Sequence, residues 1–250
     1  MTEYLVVFTF GLIVGSFLNV LIFRVPRGES IVLPPSHCFR CGHPLAVWDL
    51  IPVLSFLWLK GRCRYCQARI GWRYPIVELL TAGLTLLVWD RFGLNVHGLI
   101  MAVFVYALIV IAFIDLDHQI IPNVITIPMI LIGLAFRSWQ GEWLDAVLGG
   151  LIGGGILFLI VWIYPKGMGM GDVKYLTMAG VFLNWLGAVY SLFLGSFLGV
   201  LVILPLMLAG KVRRNEPFSF GPFLVAGTLA MIFLPYYFAD WFSAFLPGIH

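Results

Sequence analysis

The stretch Phe113-Ile114-Asp115-Leu116-Asp117-His118-Gln119-Ile120-Ile121-Pro122-Asn123 closes a long apolar run with two carboxylates and a histidine. An acid carried on a helix in lipid costs a few kcal/mol near the membrane centre, so its presence points to a function. A second acid stands in Gly169-Met170-Gly171-Asp172, again where an apolar segment meets a polar loop. The expectation from these two sites together is that Asp115 and Asp172 face each other and do chemistry on a peptide bond.

The rest of the chain fits that frame. Of 250 residues, 61% are hydrophobic and 11% are charged, with a mean hydropathy of +1.00. Soluble domains carry about 25% charged residues, so this composition excludes an ordinary soluble fold. The expectation is an all-α, polytopic membrane helix bundle. The start, Met1-Thr2-Glu3-Tyr4, lacks a basic region, and the first arginine, Arg24, follows the first apolar run. That order predicts an uncleaved first helix with its N-terminus outside.

Eight apolar runs emerge, at roughly 4–23, 75–89, 98–114, 124–136, 146–164, 173–186, 187–209 and 220–245. A full span takes about 20 residues, so the second, fourth and sixth runs are short and suit the interior of a bundle. If the eight alternate from an outer N-terminus, the inner side collects Arg24, Arg27, Arg40, Lys60, Arg62, Arg64, Arg69, Arg73, Lys166, Lys174, Lys211, Arg213 and Arg214. The outer side keeps Arg91 and Arg137. Thirteen against two is a strong positive-inside bias, and it puts both acids at cytoplasmic helix ends. Gly11 with Gly15, Gly149 with Gly153, and Gly195 with Gly199 have the small-residue spacing of close helix contacts. The expected division is a portion 1–95, with a polar loop at about 24–74, and a membrane-embedded core 96–250.

The polar loop holds all four cysteines as Cys38-Phe39-Arg40-Cys41 and Cys63-Arg64-Tyr65-Cys66, two CxxC pairs separated by 21 residues. Each pair brings two thiolates onto one tight turn, and two turns complete a closed tetrahedral shell for a structural zinc. Disulfides are the alternative. A basic loop is cytoplasmic and therefore reducing, which disfavours them. His37 and His43 flank the first pair and read as loop residues, with substitution of one as a ligand the alternative. So small a loop lacks a core of its own, and metal supplies the staple. Its basic surface suits anionic lipid heads or a partner at the inner face. The run Gly71-Trp72-Arg73-Tyr74-Pro75, with Glu78, fits interfacial anchoring as well as any site.

Each acid also has a plain structural reading. Asp172 suits an N-cap, and Asp115 and Asp117 suit solvated helix-end positions before Pro122-Asn123 starts a new helix. Two such sites on one membrane face favour chemistry instead. Two carboxyl groups sharing a site do not both ionise cheaply, so together they offer a general base and a general acid. That pair activates water against an amide and protonates the leaving nitrogen, without a covalent intermediate. Gly169 and Gly171 let backbone approach an extended substrate closely. The glycine run lacks the GxxxxGK[ST] pattern and is not a phosphate loop.

The early CxxC pairs, Asp-x-Asp near Ile-Pro-Asn, and Gly-x-Gly-Asp followed by Val173-Lys174 together resemble the bacterial type IV prepilin peptidases, over nearly the whole chain. The resemblance implies a GxGD-type aspartic protease of the inner membrane. Such enzymes remove short basic leaders from prepilins and pseudopilins, cutting after a glycine just inside the membrane. Many also methylate the new N-terminus with S-adenosylmethionine. Carried over by position, the catalytic pair is Asp115 and Asp172, with Gly169, Gly171 and Lys174 supporting. Asp115 lies eight residues before Asn123, the distance the resemblance favours, and Asp117 becomes a nearby modulator. The methyltransferase activity rests on resemblance alone, since no glycine-rich cofactor motif is present. A nucleic-acid partner is not expected. A proton-coupled transporter and a non-catalytic assembly protein docking machinery through its cysteine loop are the rival readings. Acids at the inner edge and unmatched halves disfavour the transporter.

Overall fold

The computed structural model describes residues 1–164, 168–211 and 218–234. Among them it is all-helical, with eight α-helices. These are α1 (Thr2–Arg24), α2 (Leu54–Trp58), α3 (Arg73–Phe92), α4 (Val96–His118), α5 (Asn123–Trp139), α6 (Trp143–Ile163), α7 (Met170–Leu208) and α8 (Gly221–Phe233). Four are long and apolar enough to cross a membrane: α1 with the turn that follows it, α4, α6 and α7. The helices α5 and α8 are apolar but shorter. The expected helical bundle is present, as a multi-pass membrane protein.

The boundaries agree in one informative way and differ in another. The runs expected at 173–186 and 187–209 are both present, as the two helical segments of α7, which breaks where Asn184 takes φ 66° and ψ −177°. Asn184 thus holds a positive-φ, extended conformation that L residues rarely adopt, and it breaks the helix there. Its side-chain oxygen accepts the N–H of Gly187 at 3.1 Å, so it caps the second half as an N-cap would. The five-residue α2 sits inside the polar loop and belongs to none of the expected runs. Residues 235–245 of the last expected run, together with Lys166, Arg213 and Arg214, lie outside the described residues.

The chain forms two compact units, 1–110 and 111–250. In the first, α1 and α3 run antiparallel along a small-residue seam. A Cβ at Gly11 would come within 2.6 Å of the Ala82 backbone, and one at Gly15 within 2.7 Å of the Glu78 backbone. One step further, the Asn19 amide donates to the Tyr74 carbonyl at 3.1 Å. Lipid gives apolar helices little hydrophobic reason to pair, so such close backbone approach supplies the contact through van der Waals packing.

In the second unit α7 is the central element. Gly149 and Gly180 face each other so tightly that a Cβ on either would collide with the other's carbonyl. At Gly153 a Cβ would lie 2.7 Å from the Leu176 carbonyl, and at Gly195 3.0 Å from the Leu224 Cα on α8. The fully buried Tyr175 hydroxyl donates to Thr228 Oγ1 at 2.8 Å, tying α7 to α8. Gly155, by contrast, faces open space.

Gly180→Ala should therefore lower stability by about 1–3 kcal/mol or more, the cost of overpacking. Gly155→Ala should leave it unchanged or raise it by up to about 1 kcal/mol, because alanine is the better helix former. Thermal unfolding in detergent checks both, and equal shifts would remove the close-contact account of the seam.

Candidate active site and metal centre

The stretch that opens the chain's reading ends α4 and turns toward α5. Gln119 takes φ 54°, and its N–H closes on the Asp115 carbonyl at 2.8 Å, which stops the helix. Asp115 sits in the last turn and is only 6% exposed. Its Oδ2 accepts the Gly221 N–H at 2.9 Å, at the head of α8, where unpaired backbone donors point outward. The Ser219 hydroxyl donates to the Asp115 carbonyl at 2.7 Å. A Cβ at position 221 would fall 2.8 Å from the Asp115 carboxylate, so a glycine is what lets the acid reach this helix end.

Asp172 is the third residue of α7. It reaches back so that its Oδ2 accepts the Gly169 N–H at 3.3 Å, while its own N–H bonds the Gly169 carbonyl at 3.2 Å. Gly169 is thus the N-cap, and Asp172 closes the first turn from inside, a different position from the plain N-cap the sequence allows. The two carboxyl groups lie within electrostatic range of each other. Gly171 packs on Ile121, which a Cβ would approach to 3.1 Å, and the Lys174 ammonium donates to Asn123 Oδ1 at 2.8 Å. The Ile-Pro-Asn turn after α4 is therefore seated on the first turns of α7, holding both acids on one end of this unit.

Asp117, two residues beyond Asp115 and so about 200° around the helix, is exposed. Ser219 and Gly221 are site residues the sequence reading passed over. The signal was the run Ser219-Phe220-Gly221-Pro222 at the head of an apolar segment, with proline early in a new helix.

In the first unit the two CxxC pairs form matching turns. Cys38 N–H bonds the His43 carbonyl and Gly42 N–H bonds the Cys38 carbonyl; Cys63 with Ala68 and Gln67 repeats the pattern. The residue after each second cysteine, Gly42 or Gln67, takes a positive φ, of 71° and 58°. Asp49 grips the second turn through Arg64 Nε at 2.6 Å, and Tyr65 stacks on His43 of the first. His43 is thus a packing residue between the turns.

All four sulfurs lie within 4.8 Å of one another, with Cys38 and Cys66 at 3.8 Å, and the cysteines are free thiols. A tetrahedral zinc with bonds of about 2.3 Å needs sulfurs about 3.8 Å apart, so the donor set fits a metal in spacing and chemistry. The N–H groups of Cys41 and Arg40 favour the Cys38 thiolate, while burial and the neighbouring thiols push the Cys66 thiol up, so the crowded sulfurs share their protons unequally.

These features define a class: a multi-pass helical membrane protein with two acids, on the ends of two helices, gathered at one end of a unit, and a four-cysteine cluster in a polar loop. Residues 9–92 match the Bacterial Peptidase A24 N-terminal domain, and residues 102–204 match the Type IV leader peptidase family. Among curated relatives, the chain is 36% identical to the Prepilin leader peptidase/N-methyltransferase of Aeromonas salmonicida, over 90% of this chain and 89% of that one. It is 33% identical to that of Pseudomonas aeruginosa (89% and 87%) and 42% identical to that of Myxococcus xanthus (83% and 65%). No solved structure matches the chain significantly. The chain belongs to the Type IV leader peptidase family.

If the four cysteines hold zinc, purified protein should carry one equivalent by elemental analysis, and Cys63→Ser, at the buried cysteine, should abolish it. Metal retained at full stoichiometry in that variant would exclude the four-cysteine shell.

Proposed function

We propose that the chain is an aspartic endopeptidase of the bacterial inner membrane. It cleaves the basic leader from prepilins or pseudopilins after a glycine at the cytoplasmic face, with Asp115 and Asp172 as the catalytic pair. The observation that carries the assignment is that both acids sit at one end of the same unit, within electrostatic range, each held by a backbone N–H of a glycine.

One carboxylate takes a proton from water as it attacks the scissile carbonyl, and the other carboxyl group gives a proton to the leaving nitrogen. The Gly221 and Gly169 donors orient the two groups before substrate arrives, and Lys174 on Asn123 steadies the turn between them. Gly171, pressed on Ile121, keeps the floor of the site flat for an extended chain. The positive-inside bias supports an inner orientation for the helix ends that carry these acids. It also fits a substrate whose basic leader stays in the cytoplasm.

Cys38, Cys41, Cys63 and Cys66 would hold a structural zinc. A closed shell of four thiolates offers no open coordination position, so the metal orders the loop and takes no part in cleavage. The names of the relatives extend the activity to N-methylation of the new terminus, for which S-adenosylmethionine supplies the methyl group. Among the described residues no glycine-rich nucleotide loop is present, and no residue is assigned to that cofactor.

Asp115→Asn and Asp172→Asn should each abolish cleavage of a model prepilin in detergent, since a pair acts as a unit, while the melting temperature stays near wild type. Substantial turnover by either folded variant sinks the pair. A zinc chelator should depress cleavage less than either substitution does; equal loss would move the metal into the reaction.

A further inference from the structure

The first unit carries a cleft of about 510 Å³ that neither the acid pair nor the cysteine centre uses. Its lining includes Phe56, Leu57, Lys60, Arg62, Arg69 and Trp72, and no acid. Arg62 and Arg69 stand directly opposite each other across the antiparallel bridge at the base of the second cysteine turn. Like charges in that relation destabilise a strand pair unless an anion lies between or beside them. Lys60 adds a third cation, presented from a backbone with φ 52°. Among the described residues no carboxylate pairs with any of the three.

The surroundings restrict what such an anion can be. Phe56 and Trp72 form an apolar wall, their ring centroids 4.9 Å apart. Alongside, α2 turns Leu54, Leu57 and Trp58 outward, at 61%, 58% and 84% exposure. The helix is pinned in place because the Val53 N–H donates to Glu78 Oε2 at 2.7 Å, and Glu78 abuts Gly15 of α1. Trp72 is the N-cap of α3. Cleft and apolar face therefore sit where the paired α1 and α3 end, at the level of lipid headgroups for a membrane-crossing α1. A basic leader would be repelled here. A soluble anion would leave the outward tryptophan and leucines without a role.

We propose that this cleft binds the headgroup of an anionic phospholipid of the inner leaflet. Lys60, Arg62 and Arg69 take the phosphate, and the exposed face of α2 lies among the acyl chains. The lipid sets the cysteine loop against the membrane surface.

The test is native mass spectrometry of the delipidated full-length protein titrated with phosphatidylglycerol or phosphatidylcholine. The wild type should retain phosphatidylglycerol selectively. The double variant Arg62→Gln/Arg69→Gln should bind it about tenfold more weakly or worse, from the loss of two cations near the lipid. Metal content and melting temperature report whether the double variant is folded. If it is not, Lys60→Gln, which leaves the cysteine turn untouched, carries the test with a smaller loss. Equal retention of the two lipids, or unchanged affinity in a folded variant, overturns the proposal. So does full displacement by glycerol 3-phosphate, which would make the cleft a site for free phosphate esters.

Discussion

Helices already in lipid gain nothing by hiding apolar surface from one another, so what holds this protein together is how closely their backbones can approach. Gly11 and Gly15 against α3, Gly149 and Gly153 against α7, and Gly195 against α8 provide that approach. Each seam replaces lipid contacts with dense protein contacts and leaves no room for a side chain. The same device operates at the acid site. Only at a glycine can the head of α8 come near enough for its first N–H to meet the Asp115 carboxylate. The packing rule of the bundle and the construction of the site are thus one physical fact used twice.

The polar loop is stabilised on other terms. It has two short cysteine turns, two 3-10 turns (Val25–Arg27 and Val47–Leu50) and the five-residue α2, with no core to speak of, so its ties to the helices order it, and a metal on the four cysteines is the proposed staple. The Glu78 carboxylate is one such tie, holding the N–H of Val53. Val53 has φ 61°, an uncommon conformation for a β-branched residue, and the strain is sustained by the fixed acceptor behind it. Arg24 is another tie: its guanidinium donates to the carbonyls of Ser30 and Pro34 at 2.8 and 2.6 Å, fastening the chain as it leaves α1. An arginine counted for topology and an acid taken for interfacial anchoring both turn out to position the loop.

Much of this was legible because lipid and metal impose strict chemical rules. An acid at the end of an apolar run, or a pair of CxxC turns in a basic loop, has few inexpensive explanations. The small-residue spacings were equally plain, since glycine every fourth position on a helix puts a flat strip on one face. Less legible was Asn184: the break between the two runs was placed within three residues of it, but its neighbours are apolar and nothing local marks it as the residue that breaks the helix and caps the second segment. The partner of Asp115 was hidden too. Gly221 lies 106 residues away, and no local pattern links them.

The sequence alone determined the all-helical membrane class, the family, the four cysteines as a set and the two acids as the residues of interest. These follow from composition, spacing and residue chemistry, which are local properties. Tertiary structure decided which donors each acid meets, that Asp117 faces away, and that Lys174 is spent on Asn123. It alone brought Lys60, Arg62 and Arg69 into one cleft beside an outward apolar helix. Those relations depend on how distant segments pack, and close packing is set by the shapes of whole helices in contact, which no window of sequence contains.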